Sequence, residues 1–208
     1  MSGTRLLLAV VIAGVVGGCH VADKAVSSLG AGITSAGVSV GLIRKDPLTD
    51  AQQVIADTKI NAGAMTIEGS VDRADTSYQV GQPVTLRVKT SKDAHVAILS
   101  VRANGSTTIL FPNRQHPKSD IAADAVLSVP AADDAVSIKA DAPGIVLFEF
   151  IASTKGDSWL FNRAADKGSD FADLGGTTRG LAKHITDSLK INRGPETAAT
   201  YLTVRVSK

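Results

Sequence analysis

The chain carries one thiol, Cys19, and four imidazoles, at positions 20, 95, 116 and 184. Cys19 stands directly after Gly17 and Gly18. Small residues of that kind, after an apolar run, mark the cut site of a secretory leader. No histidine has a partner at metal-ligand spacing, and no metal is expected. Asp133-Asp134 lacks the run of regularly spaced oxygen ligands that a calcium loop needs, so these two read as turn residues. There is no Gly-x-Ser-x-Gly elbow and no phosphate-cradling glycine loop. No catalytic residue, cofactor or enzymatic activity is therefore expected. What remains is the polar stretch from Pro112 to Ala123, which holds Arg114, His116, Lys118 and Asp120. Long loops on a rigid sheet often carry binding residues, although a plain crossover between sheets would have the same composition.

The elements that would hold such a loop are strands. Val84, Leu86 and Val88 alternate with Thr85, Arg87 and Lys89, which predicts a half-buried strand over Pro83 to Thr90. In Ala94 to Arg102 both faces are apolar, and so are both faces of Gly144 to Ala152. A central place in a sheet suits such strands. Asn104-Gly105 tolerates positive φ at both central turn positions and predicts a tight hairpin into Ser106 to Phe111. Ala125 to Val129 and Ala135 to Lys139 read as further strands. The expected fold is mainly β: an antiparallel sandwich of about seven strands over residues 63 to 208.

Tyr78-x-x-Gly81, the Val84-x-Leu86-x-Val88-x-Thr90 run, Leu110-Phe111-Pro112-Asn113 and Pro143-Gly144 together resemble a bacterial domain-of-unknown-function family, the one numbered 4384. The resemblance spans roughly residues 70 to 155, and Leu-Phe-Pro-Asn is its most telling part. It implies a β-rich module, often associated with the cell envelope, and supplies no catalytic residue. Tyr78, Gly81, Phe111, Pro112, Asn113 and Gly144 carry it, either as structure or as a binding surface. An aromatic common in that family is replaced here near His95. Gly156-Asp157-Ser158 resembles the nucleophile block of a hydrolase family, but without a matching downstream Asp-x-x-His it reads as a turn.

Before the core, Arg5 precedes an apolar run from Leu6 to Val16. That is a secretory leader of residues 1 to 18, too short for a spanning helix, which needs about 20 residues. Val16-Gly17-Gly18-Cys19 resembles a bacterial lipobox, which implies lipidation of Cys19 and a membrane-attached chain. By the same resemblance, His20 after the cysteine favours the outer membrane, facing the periplasm. Residues 19 to 62 then form an N-terminal extension. Within it, Ala25 to Ile43 is uncharged, and Val26, Leu29, Ile33, Ala36, Val40 and Ile43 fall at helical spacing. Its glycines each disfavour helix by about 0.8–1 kcal/mol relative to Ala. A flexible tether and a helix against membrane or partner both remain open. Thr49 and Gln52 form a capping box for a short helix, and Met65 to Ile67 begins the first strand.

Past the core, Ser158 to Phe161 reads as a short strand. Leu174, Leu181, Ile185 and Leu189 share one arc of a helix over residues 174 to 190. A final strand follows over residues 200 to 206. A net charge of +2, without basic clusters among aromatics, gives no reason to expect nucleic acid. The function expected is a lipid-anchored, non-enzymatic interaction or accessory component of a cell-envelope or secretion assembly, with protein partners. The alternative is a ligand- or glycan-binding lipoprotein using the loop at residues 112–123.

Overall fold

A computed structural model describes residues 47–58, 63–163, 165–190 and 196–208. Cys19, the leader and the Ala25–Ile43 stretch lie outside the described residues. The described residues belong to one compact unit, Gly41–Lys208.

Among the described residues there are twelve strands: β1 (Ile67–Val71), β2 (Ser77–Gln79), β3 (Pro83–Val84), β4 (Leu86–Thr90), β5 (Ala94–Val101), β6 (Thr107–Phe111), β7 (Asp120–Ile121), β8 (Val126–Val129), β9 (Ile138–Lys139), β10 (Gly144–Ser153), β11 (Ala172–Leu174) and β12 (Thr197–Ser207). The large sheet runs β11-β6-β5-β10-β12-β2, with β7 added beside β5. A second sheet runs β1-β4-β8, and β3 pairs with β9. The fold is mainly β and largely antiparallel, as the alternation of residues requires. The two doubly apolar strands, β5 and β10, lie side by side in the middle of the large sheet, with Phe150 opposite Ile98. One pairing departs from the expected topology: β12 runs parallel to β2.

The two faces of the large sheet are covered differently. Val96, Ile98, Phe148, Phe150, Val204 and Val206 point to the small sheet and pack with Leu86, Val88 and Val129. On the opposite face Ala97, Leu99, Ile109 and Ile151 meet Ile185 and Leu189 of helix α2 (Thr178–Lys190). Helix α1 (Asp50–Ala56) covers the same side through Ile55, against Val101, Leu147 and Ala182. The result is a sandwich with a helical third layer.

The capping box forms as expected, with Gln52 N donating to Thr49 Oγ1 (3.3 Å) and Thr49 N to Gln52 Oε1 (3.1 Å). Gln52 is fully buried because its amide does a second task. Its Nε2 donates to the carbonyls of Val101 (3.0 Å) and Ile145 (2.8 Å), riveting α1 to the sheet. The short helix therefore packs with the sandwich, although it falls in the stretch assigned above to the N-terminal extension.

Four local expectations are corrected. Leu174 lies in β11, paired with β6, and not in the helix. Gly175-Gly176 breaks the chain there, and Thr177 caps α2 by accepting from Gly180 N (3.2 Å). Ser158 to Phe161 forms a one-turn 3-10 helix over Trp159–Phe161 rather than a strand, capped by Ser158 Oγ. At the β5–β6 hairpin only Gly105 takes a positive φ, of 87°. Gly105 N donates to Arg102 O and Arg102 N to Ser106 O, so the loop has three residues, with glycine at the left-handed position. The final strand is longer than expected, pairing ten residues of β12 with all of β10.

Candidate functional site

The motif residues that carry the family resemblance turn out to be joints. Tyr78 is buried, and its hydroxyl donates to Asp72 Oδ1 (2.8 Å), which also accepts from Thr85 N (2.8 Å). Burial, and then that carboxylate, push the Tyr78 hydroxyl pKa upward. Burial acts to raise Asp72 as well, but the hydrogen bonds from Thr85 and Tyr78 outweigh it and leave the carboxyl below its ordinary value. The Arg73 guanidinium lies over the tyrosine ring, 5.2 Å from its centre. Gly81 (φ 87°) and Gly144 (φ 131°) hold backbone shapes that favour glycine, with open space where a Cβ would sit. Phe111 and Pro112 are buried, joined by a cis peptide.

Asn113 organises the loop that follows. Its Oδ1 accepts from Gln115 N (2.9 Å) and His116 N (2.9 Å), and its Nδ2 donates to Leu110 O (3.0 Å). Its backbone N–H donates to His116 O (3.0 Å). One buried amide thus folds the loop back on itself. His116 Nε2 reaches Asp134 Oδ1 (2.7 Å), whose other oxygen accepts from Ala131 N (2.8 Å). Arg114 N donates to Asp170 O (3.0 Å), joining this loop to the one before β11. A polar stretch that looked like an open crossover is pinned at three points.

The four loop residues are not brought together. Arg114 lines a cleft of about 400 Å³ between residues 113–117 and 162–169. Asp120 belongs to β7 and lines a separate hollow of about 340 Å³ with Asp93 and His95. His116 is engaged with Asp134, and Lys118 is exposed outside both recesses.

The opposite wall of the first cleft was invisible in the sequence. Asp166 shapes it, accepting from Asp173 N (2.7 Å) and pairing with Arg163 (3.0 Å). Ser169 N donates to Asp166 O, closing a turn over Lys167-Gly168 in which Gly168 has a φ of 83°. Arg114 and Lys167 make no ion pair among the described residues.

A second arrangement also escaped sequence reasoning. His95 Nδ1 lies 3.1 Å from Ser119 Oγ, and Gly156 passes so close that a Cβ there would meet the imidazole at 2.7 Å. A histidine at this position is wedged under the Gly156 backbone, which explains a tight fit for the ring. Ser119 is buried, and no carboxylate hydrogen-bonds the ring among the described residues, so the pair lacks the third member that would orient a base. The Ser158 hydroxyl of Gly156-Asp157-Ser158 caps the 3-10 helix and contacts Ser188 Oγ (2.9 Å). Among the described residues no group of three or more His, Cys, Asp or Glu could hold a metal, and no helix is long and apolar enough to cross a membrane.

A carboxyl group is also buried outside both recesses. Glu149 lies on the helix-facing side of β10 between Leu147 and Ile151, and no described residue hydrogen-bonds its Oε2. Burial, and then the Asp57 carboxylate, push its pKa well above the ordinary carboxyl range. The folded chain therefore holds a proton that the unfolded chain releases near pH 4.5. Its favourable contribution is complete below that pH and is lost as pH rises through the raised folded value. Glu149→Gln is expected to raise stability relative to the wild type at pH 8, where the buried carboxyl must either retain a proton that the unfolded chain has released or carry a charge away from water, and to show less of that gain at pH 4, where both side chains are neutral. Melting curves of both proteins from pH 4 to 9 check this; a constant difference at every pH contradicts it.

With the geometry in place, comparison with known proteins gives one match. Residues 77–156 fit the family described as "Domain of unknown function (DUF4384)". That span takes in β2 through β10 together with the loop organised by Asn113, but not β11, α2 or β12. Neither the curated proteins nor the solved structures give a match.

Proposed function

We propose, taking residues 77–156 as a DUF4384 domain, that this protein is a lipid-anchored, non-enzymatic binding module of the bacterial envelope, and that it presents the cleft between residues 113–117 and 162–169 to its ligand. The observation that carries this reading is a recess on a rigid sandwich whose two loop walls are internally hydrogen-bonded and tied together by Arg114 N to Asp170 O. Preorganised walls of this kind lower the ordering cost of binding. A flat docking surface for a protein partner would call for an exposed apolar patch. The large hydrophobics that stand exposed among the described residues are Val80 and Val126. The geometry thus favours ligand binding over a broad apolar interface.

The anchor rests on Cys19 following Gly17-Gly18 in the sequence. Intact-mass analysis of protein extracted from membranes is expected to find a chain beginning at Cys19 with acyl chains attached. Two or three chains make attachment stable where one does not. An unmodified Cys19 in that fraction would overturn the anchor. For the cleft, a photoreactive residue at Ala165 should give crosslinked adducts in cells that one at Val126 does not. Equal adduct patterns from both sites would remove the cleft from the function.

A further inference from the structure

We infer that the cleft between residues 113–117 and 162–169 binds a phosphoryl group, with Arg114, Arg163 and Lys167 as its charged partners. This rests on the binding reading above and names the chemistry of its ligand.

Charge is the first ground. The cleft is lined by three cationic side chains, Arg114, Arg163 and Lys167, against one carboxylate, Asp166. Two net positive charges remain, which matches a phosphate monoester carrying about −1.5 to −2 at neutral pH. Asp166 is already committed, with one oxygen to Arg163 and the other to Asp173 N. Arg114 and Lys167 make no ion pair among the described residues, so no protein carboxylate answers them.

Shape and donor chemistry are the second ground. Guanidinium groups present a planar fork that pairs two oxygens of a phosphate at once, while lysine serves as a mobile point charge. Ser169 adds a hydroxyl on the same wall, whereas the Asn162 amide donates to the carbonyls of Gly156 and Ser158 and serves to hold the loop. The Lys167-Gly168 turn leaves open space beside Gly168, so a ligand can approach the backbone there. A volume of about 400 Å³ accommodates a phosphoryl group with a small organic substituent rather than a whole nucleotide cofactor. The hollow beside β7 offers the contrast: Asp93 and Asp120 line it, and it would repel the same ligand.

The phosphoryl group could belong to a soluble phosphomonoester or to a lipid headgroup, and the two are separated experimentally. The full-length protein, purified in detergent with isotopic labelling, is titrated with inorganic phosphate and with glycerol phosphate at constant ionic strength. Amide shifts are followed in residues 113–117 and 162–169. A saturable response confined to these loops is expected, and Arg114→Gln and Lys167→Gln should each weaken it about 3- to 10-fold, the loss of one charge-assisted contact. In a parallel arm the protein is mixed with phosphatidylcholine vesicles containing or lacking phosphatidic acid. A response to phosphatidic acid but not to glycerol phosphate assigns the group to lipid; a response to both assigns it to soluble esters as well. No saturable response in either arm overturns the phosphoryl assignment. Ala165→Trp, which fills the cleft, separates that failure from failure of the binding reading. If it still abolishes the Ala165-side crosslinks, probed from Asn162, the cleft binds something else. If it leaves them unchanged, the cleft is not the binding site.

Discussion

Phe150→Ala is expected to lower stability by about 3–5 kcal/mol, a large part of the roughly 5–15 kcal/mol that holds a domain of this size together. Phe150 is fully buried where the two sheets meet. Its ring lies directly on the backbone of β1: a methyl group on Gly69 would stand 2.5 Å from both Cδ2 and Cε2. The absence of a side chain at Gly69 and the presence of a ring at Phe150 are therefore one feature. Gly69→Ala alone should cost about 1–3 kcal/mol through overpacking, because a ring locked in the core cannot swing aside. Combined with Phe150→Leu, the cost of Gly69→Ala should shrink, giving a coupling of about 0.5–3 kcal/mol. Urea denaturation of the two single variants and the double variant measures this. Additivity within about 0.5 kcal/mol would mean that the ring does not rest on Gly69. Phe148, two residues along on the same face and almost as buried, should show a comparable cost on truncation.

The second large effect is expected at Asn113. Asn113→Ala removes one acceptor serving two backbone N–H groups and one donor serving the Leu110 carbonyl, all in a site that is 3% exposed. Leaving buried backbone groups unpaired costs about 1–3 kcal/mol each, and water entering the opened loop recovers part of that. A net loss of about 2–4 kcal/mol follows. Asn113→Asp discriminates between roles within the same side chain. It keeps the acceptor for Gln115 and His116 but replaces the donor to Leu110 O by a carboxylate oxygen facing a carbonyl. Its cost should therefore be larger at pH 7 than at pH 4, where a protonated acid can donate again. Denaturant melts at the two pH values, with amide exchange at Gln115 and His116, provide the measurement. Equal stability of Asn113→Ala and the wild type would deny Asn113 its part in building the cleft wall.

These two effects also mark what could be read in advance. Phe148 and Phe150 share a face because residues two apart in a strand must do so, and nothing beyond the sequence was needed to pair them. The same period placed β5, β6, β8 and β10 within a residue or two of their bounds, whereas the single strand expected over Pro83 to Thr90 divides into β3 and β4, which pair in different sheets. It also marked β5 and β10 as strands with two covered faces. The capping box at Thr49 and Gln52 is likewise a matter of spacing along one turn of helix. Leu174 shows where spacing fails: three leucines and an isoleucine fit one helical arc, but Gly175-Gly176 ends that helix on its N-terminal side, and β6 offers Leu174 an edge to pair with.

Asn113 shows a further limit. Its type and its place after Phe111-Pro112 were legible, but not that one amide would serve three backbone groups. The cleft was beyond reach for the same reason. Its walls stand nearly fifty positions apart along the chain, and the pairing of β11 with β6 and the hydrogen bond from Arg114 N to Asp170 O bring them together. Glu149 was likewise concealed by its neighbours. In sequence it is one acidic residue in an apolar strand, and its burial follows from α1 and α2 closing over that face. Alternation and capping are local, since each depends on a few bonds of fixed geometry, and so the amino-acid order alone determined them. Which loop faces which, and which charge loses its water, depends on the packing of sheets against helices, and the tertiary structure decided it.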